Sequence, residues 1–194
     1  MKKLLFIAIS VIVFCSAYTQ ERLKDYIVNS KGNNPLKYEW TGKSTQPNTM
    51  YTIRTITVEG DNVFIKEIIQ FQGKIASETI YTCTLTSHEL KTKKITSINV
   101  LSGQNERITE QSLLKLPPLG QKVKWEFIDE RDGTKFTYSV KETTINNKKA
   151  LELTEVIDGL NVTGYTYYVL GIGLYKKTIK DDNGNITTLM TLVN

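Results

Sequence analysis

Histidine, cysteine and proline are all scarce in this chain: 1, 2 and 4 respectively among 194 residues. Each scarcity removes a class of function. A single histidine, His88, cannot build a His-based metal centre. It sits in the polar turn Thr86-Ser87-His88-Glu89, and no Gly-x-Ser-x-Gly elbow offers it a nucleophile, so no catalytic triad is expected. Of the two cysteines, Cys15 falls in a leader-like segment, which leaves Cys83 alone in the mature chain. A disulfide framework is therefore excluded, and stability has to come from a core. Cys83 alternates with Tyr81 and Leu85 and reads as a small buried apolar residue. No block of five like charges occurs, and the formal net charge is only +5, which gives nucleic acid no basic surface to bind. No apolar run approaches the ~20 residues that cross a bilayer as a helix, so the chain does not read as membrane-spanning. An outer-membrane barrel fits poorly, because charged residues interrupt both strand faces and the chain ends Leu192-Val193-Asn194 without a terminal aromatic. Neither a metal nor a cofactor is expected, and the chain reads as a non-enzyme.

The N-terminus supplies an address. Lys2 and Lys3 precede an apolar run from Leu4 to Phe14, which is the pattern of a secretory signal peptide. Residues 1–19 are assigned to it, with cleavage after Ala17 or Thr19. Lipidation at Cys15 is the rival, disfavoured because Phe14 stands where a lipobox wants a small residue. Loss of Lys2 and Lys3 lowers the formal charge of +5 by two. The expected destination is secreted or periplasmic. The Asn161-Val162-Thr163 and Asn185-Ile186-Thr187 sequons matter only on a eukaryotic route.

After the leader, the chain is written in period two. Leu23, Tyr26 and Ile27 at i, i+3, i+4 mark one short N-terminal helix. From there Thr, Ile, Val and Tyr alternate with polar residues. Turn signals such as Gly60-Asp61, Gln72-Gly73, Asp132-Gly133, Asn146-Asn147, Asp158-Gly159 and Asn183-Gly184 punctuate the alternation. Strands are expected near 36–43, 50–58, 62–71, 74–85, 89–100, 104–113, 122–130, 134–143, 148–157, 160–169, 173–180 and 185–193. Leu116-Pro117-Pro118-Leu119-Gly120 cannot be a central strand, since proline lacks the ladder donor. The lysine clusters Lys91–Lys94 and Lys176-Lys177 read as solvated strand ends that blunt a sheet edge against aggregation.

The same design is written twice, about 85 residues apart. Trp40 leads to Val63–Phe71, a Gln72-Gly73 turn, Tyr81-Cys83-Leu85 and Leu90–Ile95. Trp125 leads to Ala150–Ile157, an Asp158-Gly159 turn, Tyr165-Tyr167-Val169 and Leu174–Ile179. Residues 20–194 are therefore expected to form one pseudo-duplicated domain, with copies at about 36–113 and 122–194. The fold class is all-β, mainly antiparallel: an open half-barrel or strongly curved sheet built from two pseudo-repeats. Alternation places Ile65, Glu67, Ile69, Phe71 and Tyr81 on the greasy face of the first copy, and Leu151, Leu153, Glu155, Tyr165 and Tyr167 on that of the second. Such a face needs a cover. The candidates are the other copy, the short helix, or an apolar ligand. Glu67 and Glu155 stand out as carboxylates on otherwise apolar faces. They read as rim or hydrogen-bonded groups first, polar anchors in a cavity second, and catalytic acids last. Gly171 and Gly173 lack the third glycine, the lysine and the helix of a phosphate loop, and mark a bend instead. Asp181-Asp182-Asn183-Gly184-Asn185 lacks EF-hand spacing and reads as a hairpin.

Two segments, Leu116-Pro117-Pro118-Leu119-Gly120-Gln121-Lys122-Val123-Lys124-Trp125 and Tyr167-Tyr168-Val169-Leu170-Gly171-Ile172-Gly173-Leu174-Tyr175-Lys176, resemble segments of small secreted β-rich proteins of Bacteroidota. Those proteins are similar to the half-barrel class of periplasmic lipoprotein carriers. The resemblance implies a curved antiparallel sheet that wraps a helix or an acyl chain, and it assigns no site residue. The expected role is binding of an apolar, lipid-like molecule or a partner's segment on the concave face. The alternative is an interaction module docked on another cell-envelope protein. Nothing in the pattern sets the oligomeric state.

Overall fold

The computed structural model describes residues 22–29, 35–41, 50–99 and 102–193. The expected leader, Cys15 and both expected cleavage positions lie outside them. The described chain is almost entirely strand, with one short helix, α1 (Lys24–Ile27). The strands are β1 (Leu36–Trp40), β2 (Met50–Glu59), β3 (Asn62–Phe71), β4 (Lys74–Leu85), β5 (Glu89–Asn99), β6 (Gly103–Ile108) and β7 (Ser112–Lys115). They continue with β8 (Lys122–Ile128), β9 (Lys135–Ile145), β10 (Lys148–Ile157), β11 (Thr163–Val169), β12 (Gly173–Lys180) and β13 (Ile186–Val193). All join one antiparallel sheet in the order β6-β5-β4-β3-β2-β1-β13-β12-β11-β10-β9-β8, with β7 added beside β5. Two six-strand meanders thus meet where β1 pairs with β13, with Tyr38 opposite Leu192.

Local chemistry explains the turns. Gln72 and Gly73 both adopt positive φ (51° and 75°), as do Asn146 and Asn147 (50° and 60°), the geometry that two-residue hairpins require. The expected strand at 104–113 is broken into β6 and β7. At the break, the Thr92 hydroxyl accepts from the Gln111 N–H and donates to the Gln111 carbonyl, in place of a regular ladder step. The expected strand at 160–169 begins only at Thr163, because Leu160 N–H turns back to the Ile157 carbonyl.

The sheet curls on itself without closing. Between β6/β7 and β8 there is no backbone ladder, yet side chains bridge the gap. Trp125 Nε1 donates to the Ser112 carbonyl at 3.1 Å, Arg107 Nη1 meets Asp129 Oδ2 at 3.0 Å, and Gln111 Nε2 donates to the Tyr138 hydroxyl at 2.9 Å. A seam stitched by side chains thus faces the ladder-bonded junction of β1 with β13.

One end of the curl is plugged by α1. Leu23, Tyr26 and Ile27, the three residues that marked the helix in the sequence, are all buried. Leu23 N–H donates to the Ser87 carbonyl, and Gly171 N–H donates to the Asp25 carbonyl, so the helix ties the β4–β5 turn to the β11–β12 turn. Beneath it lie Val63, Ile65, Cys83, Leu114, Val140, Leu151 and Leu174. Tyr38 crosses this core and donates to the Leu174 carbonyl at 2.9 Å. The opposite end, where the β3–β4, β5–β6, β8–β9, β10–β11 and β12–β13 turns gather, has no such plug among the described residues.

The lysine clusters are not on sheet edges. β5 and β12 each have neighbours on both sides. Lys91 and Lys94 pair with Glu110 and Glu106 on the outside, whereas Lys177 is carried to the inner face.

Candidate functional site

Below the plugged core the interior opens into a partly enclosed cavity of about 410 Å3. Its apolar wall comes from Ile65, Leu90, Ile95, Leu113 and Leu153, and its polar wall from Arg54, Glu67, Arg107, Glu155 and Lys177 with Tyr81, Tyr138 and Tyr168. Both meanders contribute, and so do the seam residues Arg107, Gln111, Ser112 and Tyr138.

The centre of the polar wall is a cross-strand ion pair. Arg54 on β2 stands directly opposite Glu67 on β3, and Nη1 lies 2.9 Å from Oε1. The Arg54 side chain is 7% exposed and that of Glu67 20%. Burial works against the Arg54 cation, and Glu67 together with Tyr168, Tyr38 and Tyr81 outweighs it, so the guanidinium is held firmly protonated. Arg54 also donates to the Tyr168 hydroxyl. Its Nε, buried, has no hydrogen-bond partner. A second relay runs along the seam: Gln111 donates to Tyr138, which donates to Glu155, its register partner on β10. Tyr138 is stacked on Trp125, with centroids 5.5 Å apart. Burial pushes the phenols upward, Tyr81 to about 12 and Tyr168 in the same direction, so both remain hydroxyls at neutral pH. Lys177 is pulled below the usual lysine range by burial. No described carboxylate makes an ion pair with it.

The expected site residues divide sharply. Ile65, Glu67, Tyr81, Leu153 and Glu155 line the cavity together. Leu151 is completely buried in the core beside it. Ile69 is half-buried and outside the lining. Phe71 is 42% exposed at the unplugged end, because β3 runs past the interior there. Tyr165 and Tyr167 are on the outer face: Thr166 and Tyr168 occupy the inner positions, and successive strand residues alternate. The cause is register. In the β3–β4 ladder a β-bulge at Ile69/Gln70 shifts parity, so Ile65 faces Tyr81. The β10–β11 ladder has no such shift, and Leu153 faces Thr166 instead. Tyr167 lies instead under the Lys176 ammonium, 5.1 Å from its centroid.

Arg54 and Lys177 are the functional residues that sequence reasoning missed. Arg54 was within reach: a turn at Gly60-Asp61 pairs Glu59 with Asn62, and counting back along the hairpin sets Arg54 against Glu67. Lys177 was not, because two irregularities flank it, at Tyr167/Tyr168 and at Lys177/Thr178.

Comparison with protein-family models, with curated proteins and with solved structures finds no match to this chain. Among the described residues no group of three or more His, Cys, Asp or Glu is placed to hold a metal ion. No described helix is long and apolar enough to cross a membrane. The arrangement offers a half-apolar, half-polar chamber whose polar groups are hydroxyl, ammonium and guanidinium donors set against two carboxylates.

Proposed function

We propose that this chain is an exported, non-enzymatic binding protein that holds a small amphipathic molecule between its two meanders. The observation that carries the reading is the chamber itself. Its volume of about 410 Å3 falls in the range of ~300–1,000 Å3 typical of ligand pockets, and its apolar wall faces a convergent polar cluster. The sequence led to a lipid-like ligand on a greasy concave face. The five polar and charged side chains of the wall, and the inward tyrosines, favour a ligand with a polar head as well as an apolar body. The likeness to half-barrel carriers and the signal-peptide pattern support export and carriage. Native mass spectrometry tests the reading: the delipidated protein, remixed with membrane extract, is expected to retain a ligand of matching size, and failure to retain any refutes it.

A second reading has its own support. Phe71, Ile75, Ile98, Ile128, Leu160, Val162 and Ile186 are exposed apolar residues at the unplugged end, as in a module docking on another envelope protein. Crosslinking in cells from a photoreactive residue at Ile75 tests it, and recovery of no partner counts against it.

A further inference from the structure

We propose that the head group held by this chamber is a carboxylate, bound between the Arg54 guanidinium and the Lys177 ammonium. The inference rests on the binding reading above and names its ligand class.

The polar wall carries three cations, Arg54, Arg107 and Lys177, against two carboxylates, Glu67 and Glu155. Glu67 Oε1 accepts from Arg54, and Glu155 accepts from Tyr138. Arg107 is engaged by Asp129 at the seam. What remains is the Lys177 ammonium, on the same chamber wall. Arginine and lysine can only donate, so neither can satisfy the other, and a buried donor without an acceptor is costly. Arg54 is already offset by Glu67 at 2.9 Å, whereas Lys177 makes no ion pair with a described carboxylate. Arg54 is 7% exposed, and Lys177 shares the same chamber wall. An anionic acceptor beside Lys177 and the Arg54 guanidinium supplies the ion pair that Lys177 lacks. A cationic head would have to compete for carboxylates that are already bonded, with a lysine and an arginine alongside. A single charge fits better than the doubly charged phosphate monoester, because Arg54 and Arg107 are already paired with Glu67 and Asp129, which leaves Lys177 as the one wall cation without an ion pair.

Size limits the rest of the molecule. At roughly 30 Å3 per water in the liquid, the chamber's 410 Å3 equals about 14 waters, the bulk of a carboxylic acid with a chain of about ten carbons. Ile65, Leu90, Ile95, Leu113 and Leu153 would receive the chain.

Isothermal titration of the purified mature protein with decanoate, decanol and decyltrimethylammonium is the test, run on the wild type, Lys177→Met and Lys177→Arg. Decanoate is expected to bind the wild type more tightly than either other probe. Lys177→Met is expected to weaken decanoate by roughly tenfold or more and decanol far less, and Lys177→Arg is expected to restore most of the loss. Retained decanol binding also shows that Lys177→Met keeps its chamber. Equal binding of decanoate to the wild type and Lys177→Met, or an ammonium probe that binds as tightly as the carboxylate, overturns the head-group assignment while leaving the chamber reading standing. Failure of all three amphipaths to bind overturns both.

Discussion

Replacing Glu67 by leucine should cost far more than the pair it breaks is worth. Arg54 and Glu67 form a cross-strand ion pair of 2.9 Å with side-chain exposures of 7% and 20%. Removing one partner of a buried pair leaves an uncompensated charge and costs about 3–5 kcal/mol, whereas replacing both by apolar residues of similar volume is often neutral. Because the Glu67 carboxylate keeps some contact with solvent, the low end applies. Glu67→Leu is expected to lose about 3 kcal/mol, which for a chain of this size is a fall in melting temperature of roughly 6–12 °C. Arg54→Met/Glu67→Leu is expected to return to within about 1 kcal/mol of the wild type. Urea denaturation followed by far-UV circular dichroism, with equal m-values across the series, measures all three. If the double variant is as unstable as Glu67→Leu, the stranded Arg54 charge is not the cause, and the claim that the chamber carries a charge the fold does not need is wrong. A double variant that is stable yet no longer binds decanoate would place the pair's value in recognition rather than in stability.

Three other outcomes follow from particular residues. Gly173 has φ of +91° and an added Cβ would sit 3.0 Å from the Ile27 carbonyl oxygen, whereas Gly60 has φ of +61° and open space around it. Thermal melts should therefore show Gly60→Ala losing about 1 kcal/mol for backbone strain alone, and Gly173→Ala losing clearly more; equal losses would mean that α1 does not press on this turn. Cys83 is fully buried and its thiol is pushed up to about 11 by burial, so at pH 8 roughly one molecule in a thousand carries the thiolate. Modification by Ellman's reagent should wait for unfolding, and prompt stoichiometric reaction of the folded protein would contradict the core assignment. Asp129 is held well below the usual carboxylate range, chiefly by hydrogen bonds from Arg131 and then by the charges of Arg131 and Arg107. A depressed carboxylate stabilises above its unfolded value of about 3.9 and loses that contribution as pH falls further. Asp129→Asn should thus melt below the wild type from pH 5 to 7, with the gap shrinking only below about pH 4, as followed by tryptophan fluorescence. A gap that vanishes at pH 6 would show that the seam does not depend on this ion pair.

The class of fold was legible because it depends on patterns that act locally. Period-two alternation, X-Gly turns and an i, i+3, i+4 triplet specify strands, hairpins and a short helix within a few residues of one another. All three triplet residues, Leu23, Tyr26 and Ile27, are buried as that pattern implies. Even the presence of Glu67 and Glu155 on inward faces could be read, since each interrupts a run of apolar alternation and both line the chamber. The outward turn of Tyr165 and Tyr167 could not be read, because it depends on whether a bulge occurs in the ladder. One bulge between Ile69 and Gln70 reverses which residues of β4 look inward, and its absence from the β10–β11 ladder gives β11 the opposite parity.

The antiparallel all-β class, the short helix and most turn positions were settled by the order of residues alone, since each needs only neighbours in the chain. Only the folded sheet decided which faces meet. Its curl brings Arg107 to Asp129 and Trp125 to Ser112 across a seam without a ladder. It also carries Lys177 into the same chamber as Arg54, across the sheet from strands far apart in sequence. Such meetings depend on accumulated twist and on bulges, which sum over the whole sheet and leave no mark at any one position of the sequence.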